Sequence, residues 1–221
     1  MTAELQPPRF HGLRLALDRE DAASVFGRIL GMETAPRFHL GQQWIEVNAT
    51  PGDALDLRCD DLVTRRTHLR RLGVETMDGM ALGCASVLRL EPVETGACTV
   101  DLREEAAACA DGPHAADVNA RLCALELAVR APERVALHWA QMFNAPTARD
   151  GNGLPMLALA GMDLRFAPPA EGRLGIAALE FATSEIDAWA NRASGQGFEV
   201  NDGADRAVFA ALGVAFRLRA P

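Results

Sequence analysis

The chain has 221 residues, 49% of them hydrophobic and 24% charged, which is ordinary for a globular protein able to bury a core of its own. A formal net charge of −8, without a membrane-length apolar run or a secretion signal, argues against nucleic acid and membranes as partners. Five cysteines, an odd number with no CxxC pair, indicate reduced thiols in the cytoplasm rather than disulfides or structural zinc.

The first segment of the chain predicts a strand, a helix and further strands. Leu13, Leu15 and Leu17 alternate with other residues, as in a strand with one buried face, and His11 falls on the same alternation. We expect Asp18 to cap a helix over 20–31. The stretch FHLGQQWIEVN that follows predicts short strands.

The same pattern recurs along the chain. Shifted by 42, residues 11–34 lie without a gap on 53–76 with eight identities, and a shift of 124 carries 54–76 onto 178–200. Leu125, Leu127 and Val129 repeat the opening alternation before PERVALHWAQMFNA. One unit therefore occurs four times, starting near residues 11, 53, 123 and 177.

The later units carry their own helix signals. They predict helices over 61–72, 132–143 and 184–194. Asp60 is a candidate N-cap, Pro132 suits a first helical position, and Ser184 with Asp187 forms a capping-box variant. Gly31 and Gly73 are glycines of the kind that end helices. We expect the arginines of 61–72 to form a solvated helix face.

The segment AAACADGPHAADV is rich in small and turn-forming residues and divides the repeats into two pairs. We therefore expect one domain over 8–105, a linker over 106–118 and a second domain over 119–221. Residues 93–105 are expected to add an edge strand to the first domain.

The stretches HGLRLALDREDAASVFGRILGM and PERVALHWAQMF resemble the first strand and helix of the vicinal oxygen chelate superfamily, which includes glyoxalases, bleomycin-resistance proteins and extradiol dioxygenases. The resemblance covers about residues 8–92 and 120–221. It implies an α+β fold of tandem βαβββ modules that form cupped, mostly antiparallel sheets, with four modules in two domains. Modules of this family pair within a chain or across a homodimer, and small molecules lie in the cup.

The resemblance also implies where a metal would bind. Family members take ligands from the first and last strands of each module. The matching residues in the first two modules are His11, Glu46 and Asp53, and the third offers Cys123 as the equivalent of His11. In the second and fourth modules the triplets matched to Ile45-Glu46-Val47 contain Arg89 and Arg217, which cannot ligate a metal.

These features leave three functions open. Arginines at the inward positions favour a metal-free binding protein for an anionic small molecule, like the drug-binding resistance proteins, with Arg89, Arg217 and Trp44 lining the site. His11, Glu46 and Asp53 favour one divalent metal in the first domain and a lyase, isomerase or dioxygenase. The third alternative is an interaction scaffold without a small-molecule site.

Overall fold

The computed structural model describes residues 5–17, 19–48, 52–80, 86–104, 119–170, 174–203 and 206–221. Asp18 and the expected linker 106–118 lie outside the described residues. No described helix is long and apolar enough to cross a membrane.

The first half of the chain forms a sheet in the order β2-β3-β1-β4-β7-β6-β5 with helices on one face. Its elements are β1 (Arg9–Ala16), α1 (Ala22–Leu30), β2 (Arg37–Leu40), β3 (Gln43–Asn48), β4 (Ala54–Cys59), α2 (Leu62–Arg71), β5 (Met77–Met80), β6 (Ser86–Leu90), α3 (Pro92–Thr95) and β7 (Thr99–Glu104).

The second half forms a sheet in the order β13-β14-β15-β12-β8-β11-β10-β9. Its elements are β8 (Ala120–Ala128), α4 (Pro132–Phe143), β9 (Thr147–Arg149), β10 (Pro155–Leu159), β11 (Met162–Ala167), β12 (Gly175–Thr183), α5 (Ile186–Gly195), β13 (Val200–Gly203), β14 (Arg206–Ala211) and β15 (Val214–Arg219).

Each sheet joins two of the predicted modules. The first strands of the two modules are antiparallel neighbours at the centre, β1 with β4 and β8 with β12. The last strand of every module lies parallel to its first strand. The modules therefore pair within the chain, and the predicted α+β architecture of mostly antiparallel sheets is confirmed.

Local signals placed the helices well but missed some of their caps. Pro132 begins α4, and Gly31 ends α1 in the left-handed conformation with φ of 73°. The cap of α2 is Asp61 rather than Asp60, because the carboxylate of Asp61 accepts from the amides at the second and third helical positions. The capping box at Ser184 is wrong, since α5 begins after Glu185 without a side-chain cap.

The expectation of an edge strand in 93–105 is also wrong. The strand there, β7, is hydrogen-bonded between β4 and β6 in the interior of the sheet. It is the closing strand of the second module, and α3 separates it from β6. The short helix carries the chain past the sheet end before β7 returns parallel to β4.

One hydrophobic core cluster contains buried residues of both sheets and of the helices that pack on them. Phe26 of α1 packs against Phe216 of β15 with 5.5 Å between ring centroids, and Trp139 and Trp189 are fully buried. Arg70 and Arg71 of α2 are exposed as expected, but Arg65 does not belong to the expected solvated arginine face. It is 1% exposed, and its guanidinium donates to backbone carbonyls that include that of Met142 in α4.

Candidate functional site

A β-bulge decides which way His11 points. Phe10 lies opposite Leu57 and Gly12 opposite Asp56, so His11 is an extra residue in β1. The extra residue reverses the alternation, and His11 does not share a face with Leu13 as the sequence pattern predicted. Its contacts are with charged and aromatic side chains on the face opposite the helices, which we call the polar face of the sheet.

On the polar face of the first sheet, Trp44 is covered on both sides. Its indole Nε1 donates to Nδ1 of His11 at 2.9 Å, and the guanidinium carbon of Arg37 lies 4.3 Å from the ring centroid. The ring lies directly on Gly12, where a Cβ atom would approach it to 2.2 Å. Trp44 is 6% exposed, so the indole packs within the polar face instead of forming an open wall.

Glu46 lies two residues after Trp44 on β3, between two arginines. Arg14 Nε donates to Oε1 at 3.2 Å, Arg37 Nη2 donates to Oε2 at 2.8 Å, and Asn48 also donates to Oε1. Burial alone would raise the pKa of Glu46, but the hydrogen bonds and charges of Arg37 and Arg14 outweigh it and lower the pKa. Both carboxylate oxygens are therefore already bound to cations.

The strand register corrects the position assigned to Arg89. Glu46 lies beside Arg14 on the first strand of its module, and the equivalent pair in the second module is Asp101 beside Asp56. Arg89 lies one strand further out, on β6, and grips Asp101 through two hydrogen bonds of 2.7 and 2.9 Å. The matching of triplets in the sequence missed this, because α3 and β7 follow β6 in the second module.

Asp56 is a buried carboxylate of the polar face and, like Asp101, is 4% exposed. Arg103 Nε lies 2.6 Å from its Oδ2, while His11 Nδ1 and Arg58 Nε lie 3.5 and 3.7 Å from its Oδ1. The sequence patterns predict no role for Asp56, although the 42-residue shift that aligns the modules places Asp56 on Arg14. That alignment was the signal that could have found it.

Asp53 is a connector between the two sheets. Its Oδ1 accepts from the backbone amide of Ala16 at 2.9 Å, and its Oδ2 accepts from the amide of Ile176 at 2.7 Å. Gly175 is needed beside it, because a Cβ there would lie 2.4 Å from Oδ2. The structure therefore places Asp53 at a strand junction and not in a group with His11 and Glu46.

In the second sheet, two ion pairs cross between the modules. Arg217 of the fourth module donates to Glu126 of the third at 2.7 Å, and Arg165 of the third donates to Glu180 of the fourth at 2.6 Å. Register places both arginines at the position that Glu46 holds in the first module. The strand pairing therefore assigns Arg165 and Arg217 to the same last-strand position in their modules.

Cys123 occupies a second bulge, at the position equivalent to His11. Glu180 lies opposite Ala124 and Phe181 opposite Leu122, so Cys123 is the extra residue of β8. Its thiol contacts the Glu180 carbonyl at 3.3 Å, and Arg219 Nε lies 3.3 Å from Sγ. Burial raises the pKa of the Cys123 thiol in spite of the arginine, so the thiol is not an activated nucleophile.

These residues do not fit a divalent metal. Within the described ranges, no group of three or more His, Cys, Asp or Glu side chains could hold one. The carboxylates of Glu46 and Asp101 are bound by arginines, that of Asp53 by backbone amides, and Nδ1 of His11 accepts from Trp44. In the second sheet the last-strand positions carry guanidinium groups, which have no lone pair to offer.

Solved structures share this fold. A catechol 2,3-dioxygenase matches with a TM-score of 0.68 at 11% identity, covering 99% of this chain and 89% of that one. A 2,2',3-trihydroxybiphenyl 1,2-dioxygenase from Sphingomonas wittichii strain RW1 matches with a TM-score of 0.65 at 14% identity, over 99% and 91% of the chains. A Mn(II)-bound glyoxalase from Novosphingobium aromaticivorans matches at 0.59 and 9%, over 98% and 82%.

No protein-family model matches the chain, and no curated protein matches its sequence. At identities of 9 to 14% the structural likeness establishes the fold and not the activity. Together with the four repeated modules, of which the first has two described strands after its helix and the others have three, it shows that the chain has the fold of the vicinal oxygen chelate superfamily.

Proposed function

We propose that this chain is a metal-independent binding protein for a small organic anion, which lies on the polar face of the second sheet. The observation that carries the proposal is the pair of arginines, Arg165 and Arg217, at the positions where metal-binding members of the fold have a carboxylate ligand. A guanidinium group supplies fixed positive charge and a planar fork of donors for an oxyanion.

The two sheets differ in how many of the guanidinium donors already bind a carboxylate. On the first sheet Asp101 holds Arg89, and Asp56 is surrounded by Arg103, Arg58 and His11. On the second sheet Arg217 forms one ion pair with a described carboxylate, at 2.7 Å to Glu126, and its side chain is 34% exposed. The polar face of the second sheet also has small residues near the arginines, and these are Ala124, Ala158, Ala178, Ala210 and Ala215.

The metal-dependent alternative, a lyase or dioxygenase using His11, Glu46 and Asp53, receives less support. The Mn(II)-bound glyoxalase shares the fold, but in this chain the three side chains have separate partners. We also propose the domain boundaries 8–105 and 119–221, since each sheet lies within one of these ranges. A reducing, cytoplasmic location is supported by buried free thiols at Cys59, Cys98 and Cys123.

The test is a thermal-shift screen of organic acids against neutral analogues, combined with metal analysis of the purified chain. A ligand at 100 times its dissociation constant stabilises the fold by about 2.7 kcal/mol, which is roughly 5–10 °C for a chain of this size. We expect anions alone to give such shifts, and Arg217→Gln to reduce them. Arg134→Gln, at an exposed arginine of α4, is the matched control.

Two results would overturn the proposal. The first is stabilisation by neutral analogues as large as that by the acids. The second is about one equivalent of a transition metal that disappears in the His11→Ala variant.

A further inference from the structure

Three exposed arginines lie side by side at one end of the polar face of the second sheet. Arg206 of β14 is directly opposite Arg219 of β15. Arg219 is opposite Ala182 of β12, and Ala182 is opposite Arg121 of β8. We call Arg121, Arg206 and Arg219 the arginine row.

Part of the arginine row is duplicated in the first sheet, but the two sheets differ on the strand between the shared arginines and on the strand that carries Arg206. By strand register, Arg9 and Arg103 of the first sheet are the equivalents of Arg121 and Arg219, again with one strand between them. The residue on that middle strand is Arg58 in the first sheet, and the equivalent of Arg206 there is Val87. There the buried carboxylate of Asp56 lies among the arginines, 2.6 Å from Arg103. In the second sheet the middle arginine is replaced by Ala182, which removes a long side chain from the centre of the row.

The charge of the row is only partly neutralised. Arg219 Nε lies 3.0 Å from Glu180, but that carboxylate also binds Arg165 at 2.6 Å. Among the described residues, neither Arg121 nor Arg206 forms an ion pair with a carboxylate. Like charges directly opposite each other on neighbouring strands destabilise a sheet. Arg206 and Arg219 are such a pair, and a bound anion would offset their repulsion.

The spacing of the row defines the size of that anion. Neighbouring strands are about 4.8 Å apart, which places Arg121 and Arg219 about 10 Å apart at the backbone with the methyl group of Ala182 between them. Long guanidinium side chains on both sides of this gap, and that of Arg206, can converge on one group above Ala182. Three acceptor oxygens on that group would match the three guanidinium groups of the row. Nearly two negative charges would match the two arginines that form no ion pair with a described carboxylate.

We propose that the arginine row binds the phosphate of a small phosphate monoester. A monoester carries about −1.5 to −2 charge at pH 7 and three terminal oxygens, whereas a carboxylate offers one charge and two oxygens. Val208 lies two residues from Arg206 on the same strand face, is 37% exposed and provides apolar surface for the organic part. The assignment rests on the proposed anion-binding function and specifies its ligand class.

Calorimetric titration with phenyl phosphate tests the assignment, with phthalate as a dianion of similar size without phosphorus. The variant is Arg121→Gln, whose exposed side chain makes no hydrogen bond or ion pair to a described residue, so its loss leaves the fold intact. We expect phenyl phosphate to bind more tightly than phthalate and Arg121→Gln to weaken it at least tenfold. Arg206→Gln should act in the same direction, and Arg134→Gln should change affinity less than twofold.

The possible failures have different meanings. Tighter binding of phthalate, lost in Arg121→Gln, overturns the phosphate assignment and leaves the anion-binding function standing. Phenyl phosphate binding that is equal in Arg121→Gln, Arg134→Gln and the unaltered chain overturns the role of the row. The absence of binding by both compounds, together with no hit in the organic-acid screen, overturns the function as well.

Discussion

Replacing Gly12 with alanine tests the packing of Trp44 on the polar face of the first sheet. The added Cβ would lie 2.2 to 2.6 Å from indole atoms, far inside contact distance. The ring cannot simply move, because Arg37 lies over it and its Nε1 donates to His11. Overpacking costs about 1–3 kcal/mol and a lost hydrogen bond about 1 kcal/mol, so Gly12→Ala should destabilise the chain by about 2–4 kcal/mol.

The assay is urea unfolding in a double-mutant cycle with Trp44→Leu. Leucine removes the ring atoms that the new Cβ would meet, so Gly12→Ala should cost less than about 1 kcal/mol in that background, and the coupling should exceed about 1.5 kcal/mol. The control is Gly79→Ala on β5, where the nearest atom to the new Cβ is 3.6 Å away and little change is expected. An equal cost of Gly12→Ala with and without the indole would refute the reasoning.

Three further predictions follow from the buried polar groups. Since its two arginine partners lower the pKa of Glu46, that carboxylate contributes stability above its unfolded pKa, near 4.3, and the contribution disappears as the pH falls through the lower folded value. Glu46→Gln should therefore flatten the acid limb of a stability–pH curve, and an unchanged limb would contradict this. Asp53→Ala strands two backbone amides and should cost about 2–5 kcal/mol in urea unfolding, whereas a near-neutral change would show that water replaces the carboxylate. Burial raises the pKa of Cys59 to about 11 and raises that of Cys98 as well, so both should resist iodoacetamide at pH 8 until the chain unfolds, as peptide mass mapping would measure.

Ion pairs on the polar face of the second sheet connect its two modules. Glu126 and Glu180 keep carboxylates on the central strands, and the last strands supply Arg217 and Arg165 as their partners. Each pair joins the two modules of the second sheet. Breaking one would leave a charge partly buried, which is more costly than never having buried the pair.

The sequence alone determined the modular plan. The repeated strand-helix-strand unit was predicted from the 42- and 124-residue shifts, the alternating leucines and the helix-ending Gly31. Strands and helices leave such patterns because their formation depends on residues close together in the chain. The predicted helices over 132–143 and 184–194 include Trp139 and Trp189, and both side chains are fully buried.

Tertiary structure decided which side chains meet on the polar face. The extra residue at His11 reverses the side-chain alternation of β1. A periodic hydrophobic pattern does not predict where such a bulge occurs. The partner of Arg89 likewise depended on where β7 inserts in the sheet, and the burial of Arg65 depended on α4 lying against α2. Pairing between strands and helices distant in the chain is set by global packing, so local patterns could name the candidate residues but not their partners.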